Sequence, residues 1–294
     1  MRPAVLIETQ CDFDSLMEGL AHAPQIAVDT ESNSFFAYFE RVCLIQISTE
    51  EEDYVIDPFS LRDLSAFCRI LHAEHIQKVF HAASNDLIGI KRDFHCCTRN
   101  LFDTAVACKL LGHRKLGLAH VLAEHFGVTL DKKWQRCDWG KRPLKQEQID
   151  YARLDTHYLI PLRHRLNQAL MDHGLQEQAR GIFLKICTQE VQTKVFQPNG
   201  FNHLKGAQNL DPLARRLLKD LYRYREREAK RRNRAPFRVL SNETLVRLAQ
   251  NPPNSLEELN RVKGLPKSYH RSHMAQGLLQ IIRRAPAKSE EMEA

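Results

Sequence analysis

Over residues 1–175, short apolar runs alternate with apolar positions at helical spacing, the pattern of a mixed α/β domain. Strands are expected at 25–28, which runs into an acidic pair, at 42–48 (VCLIQIS), at 54–57 (YVID, closed by Pro58) and at 77–81 (QKVFH). A shorter extended piece follows at 100–102. Helical spacing is seen over 61–72, then at about 85–94, from Asp103-Thr104 onward, and over 116–126 with Gly127 as the stop. The stretch 128–143 is irregular and polar, and one long helix is expected from Lys145 to about His173, ended by Gly174.

A connector over 176–208 leads to a helical unit at 209–285, with a disordered tail expected at 286–294. The unit opens on Asp211-Pro212, a capping residue followed by a proline suited to the first helical turn. Further helices are expected near Ser241, at the capping box Ser255-Leu-Glu-Glu258, and after the turn Gly264-Leu-Pro266. No internal repeat is present.

Composition adds bounds. A chain of 294 residues favours two domains, and 43% hydrophobic with 27% charged residues is an ordinary globular balance. No apolar run approaches the ~18 residues needed to span a bilayer, so no membrane partner is expected. The opening MRPAVLIETQCDFD meets acidic residues almost at once, which argues against a secretory signal and for the cytoplasm. Eight irregularly spaced cysteines without a C-x-x-C argue for reduced thiols rather than a disulfide framework or a zinc site. From Gly206 onward 19 Lys and Arg face 10 Asp and Glu, whereas the first 205 residues hold 24 against 26. The basic excess therefore lies in the last third, where a polyanion is the expected partner.

The chemistry-bearing residues are acidic. Asp29-Thr30-Glu31 ends a strand, and alternation puts Asp29 and Glu31 on one face. Two carboxylates side by side repel unless a cation lies between them. Asp86 follows the strand at 77–81, and Tyr151 and Asp155 stand four apart on the expected long helix, on one face. Each alone reads equally as a solvated acid, a helix-terminal charge or a buried tyrosine. Asp103 reads as a helix cap, Asp150 points away from Tyr151, and His81 reads as a satisfied structural histidine.

In order and spacing, IAVDTES, VFHAASNDL and QIDYARLDTHYLIP resemble the three motifs of the DEDD exonucleases in their Tyr-containing subgroup. The segments ERVCLIQIST, NLFDTAVACKLLG, GVTLDK and DWGKRPL add a likeness to ribonuclease D and its nuclear-exosome relatives over the first 175 residues. The resemblance implies a ribonuclease H-like (DnaQ-like) α/β domain with a mixed sheet and flanking helices. It also implies a 3′→5′ exoribonuclease in which Asp29, Glu31, Asp86 and Asp155 hold two divalent ions, Mg²⁺ or Mn²⁺, and Tyr151 orients the attacking water. Hard oxygen ligands suit these ions, which activate the water and meet the charge on the leaving 3′ oxygen. Ser32 departs from ribonuclease D itself, which usually has an aromatic residue there.

Residues 209–284 resemble an HRDC domain, a helical nucleic-acid-binding module. The expected partner is RNA with a single-stranded 3′ end, tRNA precursors among them. Expected RNA contacts are Lys132, Lys133, Trp134, Arg136 and Trp139 in a loop that interleaves basic and aromatic residues. Arg223, Arg227, Arg231 and Arg232 are expected to meet phosphates in a run that also holds Tyr222, Tyr224 and Arg225. Gly264 and its neighbouring amides are a candidate phosphate seat at the start of the last helix. Competing readings are a helicase-associated type of DNA exonuclease and a non-catalytic RNA-binding scaffold.

Overall fold

The computed structural model describes residues 3–131, 133–191, 195–270 and 273–284. Lys132 and the tail at 286–294 lie outside the described residues. The chain forms two compact units, one of 1–33 and 41–192, the other of 34–40 and 193–294.

The first unit is built on a six-stranded sheet ordered β1-β4-β3-β2-β5-β6. Its strands are β1 (Val5–Ile7), β2 (Gln25–Ser32), β3 (Val42–Ser48), β4 (Asp53–Ile56), β5 (Gln77–Phe80) and β6 (Leu101–Asp103). β2, β3 and β4 are antiparallel, whereas β1–β4, β2–β5 and β5–β6 are parallel. The central β3 is buried along its whole length, as expected of a run apolar on both faces.

The flanking helices are α1 (Gln10–Leu20), α2 (Ser65–His72), α3 (Ser84–Phe94), α4 (Thr104–Leu110), α5 (Leu118–Phe126), α6 (Gln146–Ala152), α7 (Leu154–His157), α8 (Leu159–Asp172) and α9 (Gln176–Cys187). β1 and α1 went unrecognised in the apolar pattern, although Thr9 caps α1 by accepting the Asp12 amide.

The structure departs from two expectations. The long helix at 145–173 is three helices, separated at Arg153 and Tyr158. The break follows a buried polar knot: Asp53 accepts from His157 Nδ1 at 2.9 Å, from Ser48 Oγ at 2.7 Å and from Arg153 at 3.4 Å. Thr156 Oγ1 lies 2.7 Å from Ser48 Oγ, so α7 is held to the ends of β3 and β4. The cysteines are not all reduced thiols: Cys68 in α2 and Cys96 beyond α3 form a disulfide, their Cα atoms 4.8 Å apart. That pair is made by helix packing across 28 residues, which no local cysteine spacing reveals.

The second unit comprises α10 (Pro212–Arg231), α11 (Pro236–Val239), α12 (Asn242–Gln250), α13 (Leu256–Arg261) and α14 (His273–Arg284). Leu217, Leu218, Leu221, Leu245, Leu248 and Tyr269 centre its core. The segment 34–40 also belongs to it: Tyr38 packs on that core and its hydroxyl bonds Glu226. Phe39 N donates to Asn233 Oδ1 at 2.9 Å and Ala235 N to Phe36 O at 2.9 Å. In the first unit the excursion is pinched at its base, where Arg41 N donates to Asn33 Oδ1 at 2.8 Å.

Candidate active site

Strand alternation places Asp29 and Glu31 on the face of β2 that also carries, in register on β3, Gln46 opposite Asp29 and Leu44 opposite Glu31. α6 and α7 bring Tyr151 and Asp155 to the same place. Asp86 enters from the first turn of α3. Thr30, on the other pleat of β2, donates its hydroxyl to Asp86 Oδ1 at 2.5 Å. The turn that delivers α3 is fixed by Asp103, almost wholly buried. Its carboxylate accepts from the amides of Ala82 and Ala83 at 3.0 and 2.9 Å and from those of Ala105 and Val106 at 2.9 and 3.1 Å. Asp103 is thus a cap, as expected, and one that also steadies Ala82 in its left-handed conformation, φ 60°.

All four carboxylates are raised, and burial is the first cause at each. Burial and the charges of Asp86, Asp155 and Glu31 hold Asp29 well above the usual carboxylate range. Glu31 is raised by burial, then by Asp155 and Asp86. Burial pushes Asp86 to about 6, and burial with Asp86 pushes Asp155 to about 7. Tyr151 is also raised, by burial and by the neighbouring acids. Among the described residues no Lys, Arg or His pairs with any of the four acids.

Gln46 adds a second observation. Its side chain is fully buried, and neither its amide nitrogen nor its oxygen has a hydrogen-bond partner. An uncompensated acidic cluster and an orphaned amide on one face call for a hydrated cation. The donor set is all hard oxygen, as Mg²⁺ or Mn²⁺ requires. The residues therefore fit a divalent metal. Among the described residues no group of three or more acidic, His or Cys side chains is arranged to hold a metal ion.

Tyr151 is positioned by a residue whose sequence setting pointed to RNA contact instead. Trp139, expected to meet RNA, is 1% exposed and stacks on Tyr151 with centroids 6.2 Å apart, so its ring cannot receive a base. Its loop is tied down by Arg142, which bonds Asp57, Cys43 O at 2.8 Å and Trp139 O at 2.7 Å. Trp134 is half-buried, with Lys133 and Lys145 lying 5.1 and 5.9 Å from its ring. Lys133 and Arg136 are exposed. Asp150 bonds Gln146, away from the acids. His81, kept neutral by burial, is satisfied by Thr104 at 2.9 Å and Leu116 O at 2.8 Å, as expected.

In the helical unit Arg223 and Arg227 are exposed, Arg231 pairs with Glu228 at 2.7 Å, and Arg232 is half-buried. Arg225 is a core residue instead, donating to Leu240 O and Asn242, and Tyr224 is buried. Tyr222 stacks on Phe196. Gly264 does not start the last helix: its carbonyl accepts from Thr244, and α14 begins at His273.

The model of the family described as "3'-5' exonuclease" matches residues 4–171. The chain belongs to that family. The HRDC domain model matches 214–293. Among solved structures, the catalytic core of RRP6 from Trypanosoma brucei is 26% identical with a TM-score of 0.88, over 96% of this chain and 79% of that one. RNase D of Escherichia coli, an exoribonuclease involved in structured RNA processing, is 31% identical with a TM-score of 0.70, over 97% and 75%. The Caenorhabditis elegans exosome complex component 10 homolog is 32% identical over 86% of this exonuclease and 30% of its own length. The chain spans about a third of the length of the curated relatives it matches. The family depends on divalent metal. Among the described residues no helix is long and apolar enough to cross a membrane.

Proposed function

We propose that this exonuclease is a 3′→5′ exoribonuclease that removes nucleoside monophosphates from single-stranded 3′ ends of RNA, tRNA precursors included, in the cytoplasm. The observation that carries the reading is the convergence of Asp29, Glu31, Asp86 and Asp155, uncompensated by any basic partner among the described residues, beside Tyr151. In this reading the four acids hold two divalent ions, Mg²⁺ or Mn²⁺. Bound there, the metals lower the pKa of a water and offset charge on the leaving 3′ oxygen.

The chain's own residues do the positioning. Tyr151, whose proton is held firmly by burial and by the acids around it, orients the water through its hydroxyl and does not serve as a free base. Thr30 and Asp103 fix where Asp86 points. Lys133, Trp134 and Arg136 in the first unit and Arg223, Arg227, Arg231 and Arg232 in the second are proposed RNA contacts, and Lys132, outside the described residues, stays with them on its sequence alone.

Digestion of 5′-labelled RNA and matched DNA with Mg²⁺, Mn²⁺ or EDTA, alongside Asp29→Asn, tests this. Metal-dependent shortening from the 3′ end, faster on RNA and lost in the variant, is the expected result. Preference for DNA moves the substrate, and binding of RNA with no trimming under any metal defeats the catalytic claim.

A further inference from the structure

The buried strand β3 carries two polar side chains, Gln46 and Ser48, among apolar neighbours. Both are wholly buried. Ser48 Oγ donates to Asp53 Oδ1 at 2.7 Å and lies 2.7 Å from Thr156 Oγ1, so its hydroxyl is fully engaged. Gln46 is not: both polar atoms of its amide are sealed from solvent, and neither has a hydrogen-bond partner. An unpaired buried amide disfavours the folded state. An apolar side chain of similar volume would fill the same space without that penalty. The amide therefore gains nothing from the metal-free fold and has a use only if a partner comes to it.

Its neighbours in the sheet narrow that partner to one. On β4 the residue opposite is Val55, and two residues back along β3 is Leu44, both apolar. Two residues on is the engaged Ser48. On β2 the residue opposite is Asp29. Side chains directly opposite in an antiparallel pair share a face, with Cβ atoms about 5 Å apart, well within the reach of a glutamine. Gln46 is sealed, so it meets neither RNA nor solvent water directly, and any influence it has on the site passes through Asp29. Carboxylates that ligate a metal are themselves held by hydrogen bonds, and those outer partners set the affinity. An amide N–H is a suitable donor to an ionised carboxylate.

We propose that Gln46 is a positioning residue for the metal site, its Nε2 donating to the Asp29 carboxylate in the metal-loaded protein. The inference rests on the reading of Asp29 as a metal ligand. It ties the unpaired amide of the metal-free chain to a hydrogen bond gained on loading, so part of the ion's hold on the protein comes from β3, a strand that contributes no ligand.

The test compares the full chain with Gln46→Met and Gln46→Leu, which remove the amide and keep the site apolar. In EDTA both variants are expected to melt level with the wild type or a few degrees above it, because an unpaired buried group is gone. Calorimetric titration with Mn²⁺, in the absence of RNA, should show affinity ten- to a hundred-fold weaker in the variants. Excess Mn²⁺ should then return kcat close to the wild-type value, with KM for RNA unchanged, because Gln46 touches no substrate. Variants that both melt well below the wild type in EDTA assign the amide to the fold and overturn the inference. Mn²⁺ affinity equal in all three proteins, with trimming intact, also overturns it and leaves the exonuclease reading standing. A wild type that neither binds Mn²⁺ nor trims RNA removes both readings together.

Discussion

Trp139 lies flat against Tyr151, ring centroids 6.2 Å apart and planes 28° from parallel, with Trp139 sealed from solvent. The indole thereby fixes one side of the phenol that faces the acidic cluster. Trp139→Ala is expected to lower kcat on short RNA about ten- to a hundred-fold through misplacement of Tyr151, and to cost about 3–5 kcal/mol of stability as a core cavity. Trp139→Phe keeps an aromatic floor. Single-turnover rates well below the melting temperature should therefore be largely restored in the Phe variant. Equal rates in all three proteins would show that Tyr151 needs no such support.

Asp53 anchors Asp155 indirectly, through α7. Burial pushes its carboxylate pKa up, but the bonds from His157 and Ser48 and the charges of His157 and Arg153 outweigh it and lower the value. A carboxylate whose folded pKa is depressed adds stability above its unfolded value, near ~3.9, and loses it as pH falls through the folded value. Asp53→Asn should cost about 1–3 kcal/mol near neutral pH. The two stability curves should converge below about pH 4. The variant should also slow cleavage, because α7 no longer holds Asp155 in place. Chemical denaturation across the acid range, with a rate measurement at neutral pH, checks both.

Local pattern carried the carboxylates: a strand ends on Asp29 and Glu31, a helix begins near Asp86, and Tyr151 and Asp155 share a spacing. The Asp103 cap and the Gly127 stop were equally local, and both stand in the structure. What the pattern could not carry depends on partners far along the chain. The division of residues 145–173 into three helices is set by Asp53, about a hundred residues earlier. Trp139 resembles a surface aromatic until α6 covers it. The apolar and aromatic run at 35–39 has no partner nearby in sequence, because its partners are Glu226, Asn233 and Arg238. Gln46 reads as a strand residue like its neighbours, and only the register with Asp29 gives its amide a meaning.

Lys78 offers a test of the sheet itself. It is fully buried on β5, donating to Ala73 O at 2.6 Å and Ile76 O at 2.7 Å, and burial pulls its pKa down to about 8. The unfolded chain keeps this amine charged until about pH 10.4. Between those values the unfolded state holds one proton more than the folded state, so stability from Lys78 rises with pH. The expected slope approaches one proton, about 1.4 kcal/mol per pH unit. Lys78→Met should lack that slope. Denaturant midpoints of the two proteins over this alkaline window decide the matter, and parallel curves would place the charge in solvent.

The acids are expected to make the metal-free protein weaker than its own inactive variant. Asp155 is raised to about 7 by burial and Asp86. A carboxyl whose folded pKa exceeds its unfolded value loses stability as pH climbs between the two, so the full penalty is present above pH 7. Asp155→Asn removes that charge. In EDTA at pH 8 the variant should melt a few degrees above the wild type. Added Mg²⁺ or Mn²⁺ should then raise the wild type more than the variant, because binding to the folded state stabilises by mass action and the variant has lost a ligand. The order of the two melting temperatures should thus narrow or reverse with metal, and calorimetry over a metal titration reads it directly. Equal responses of the two proteins would mean that Asp155 does not hold the ion. A wild type that already melts higher in EDTA would mean that the carboxylates are compensated without metal.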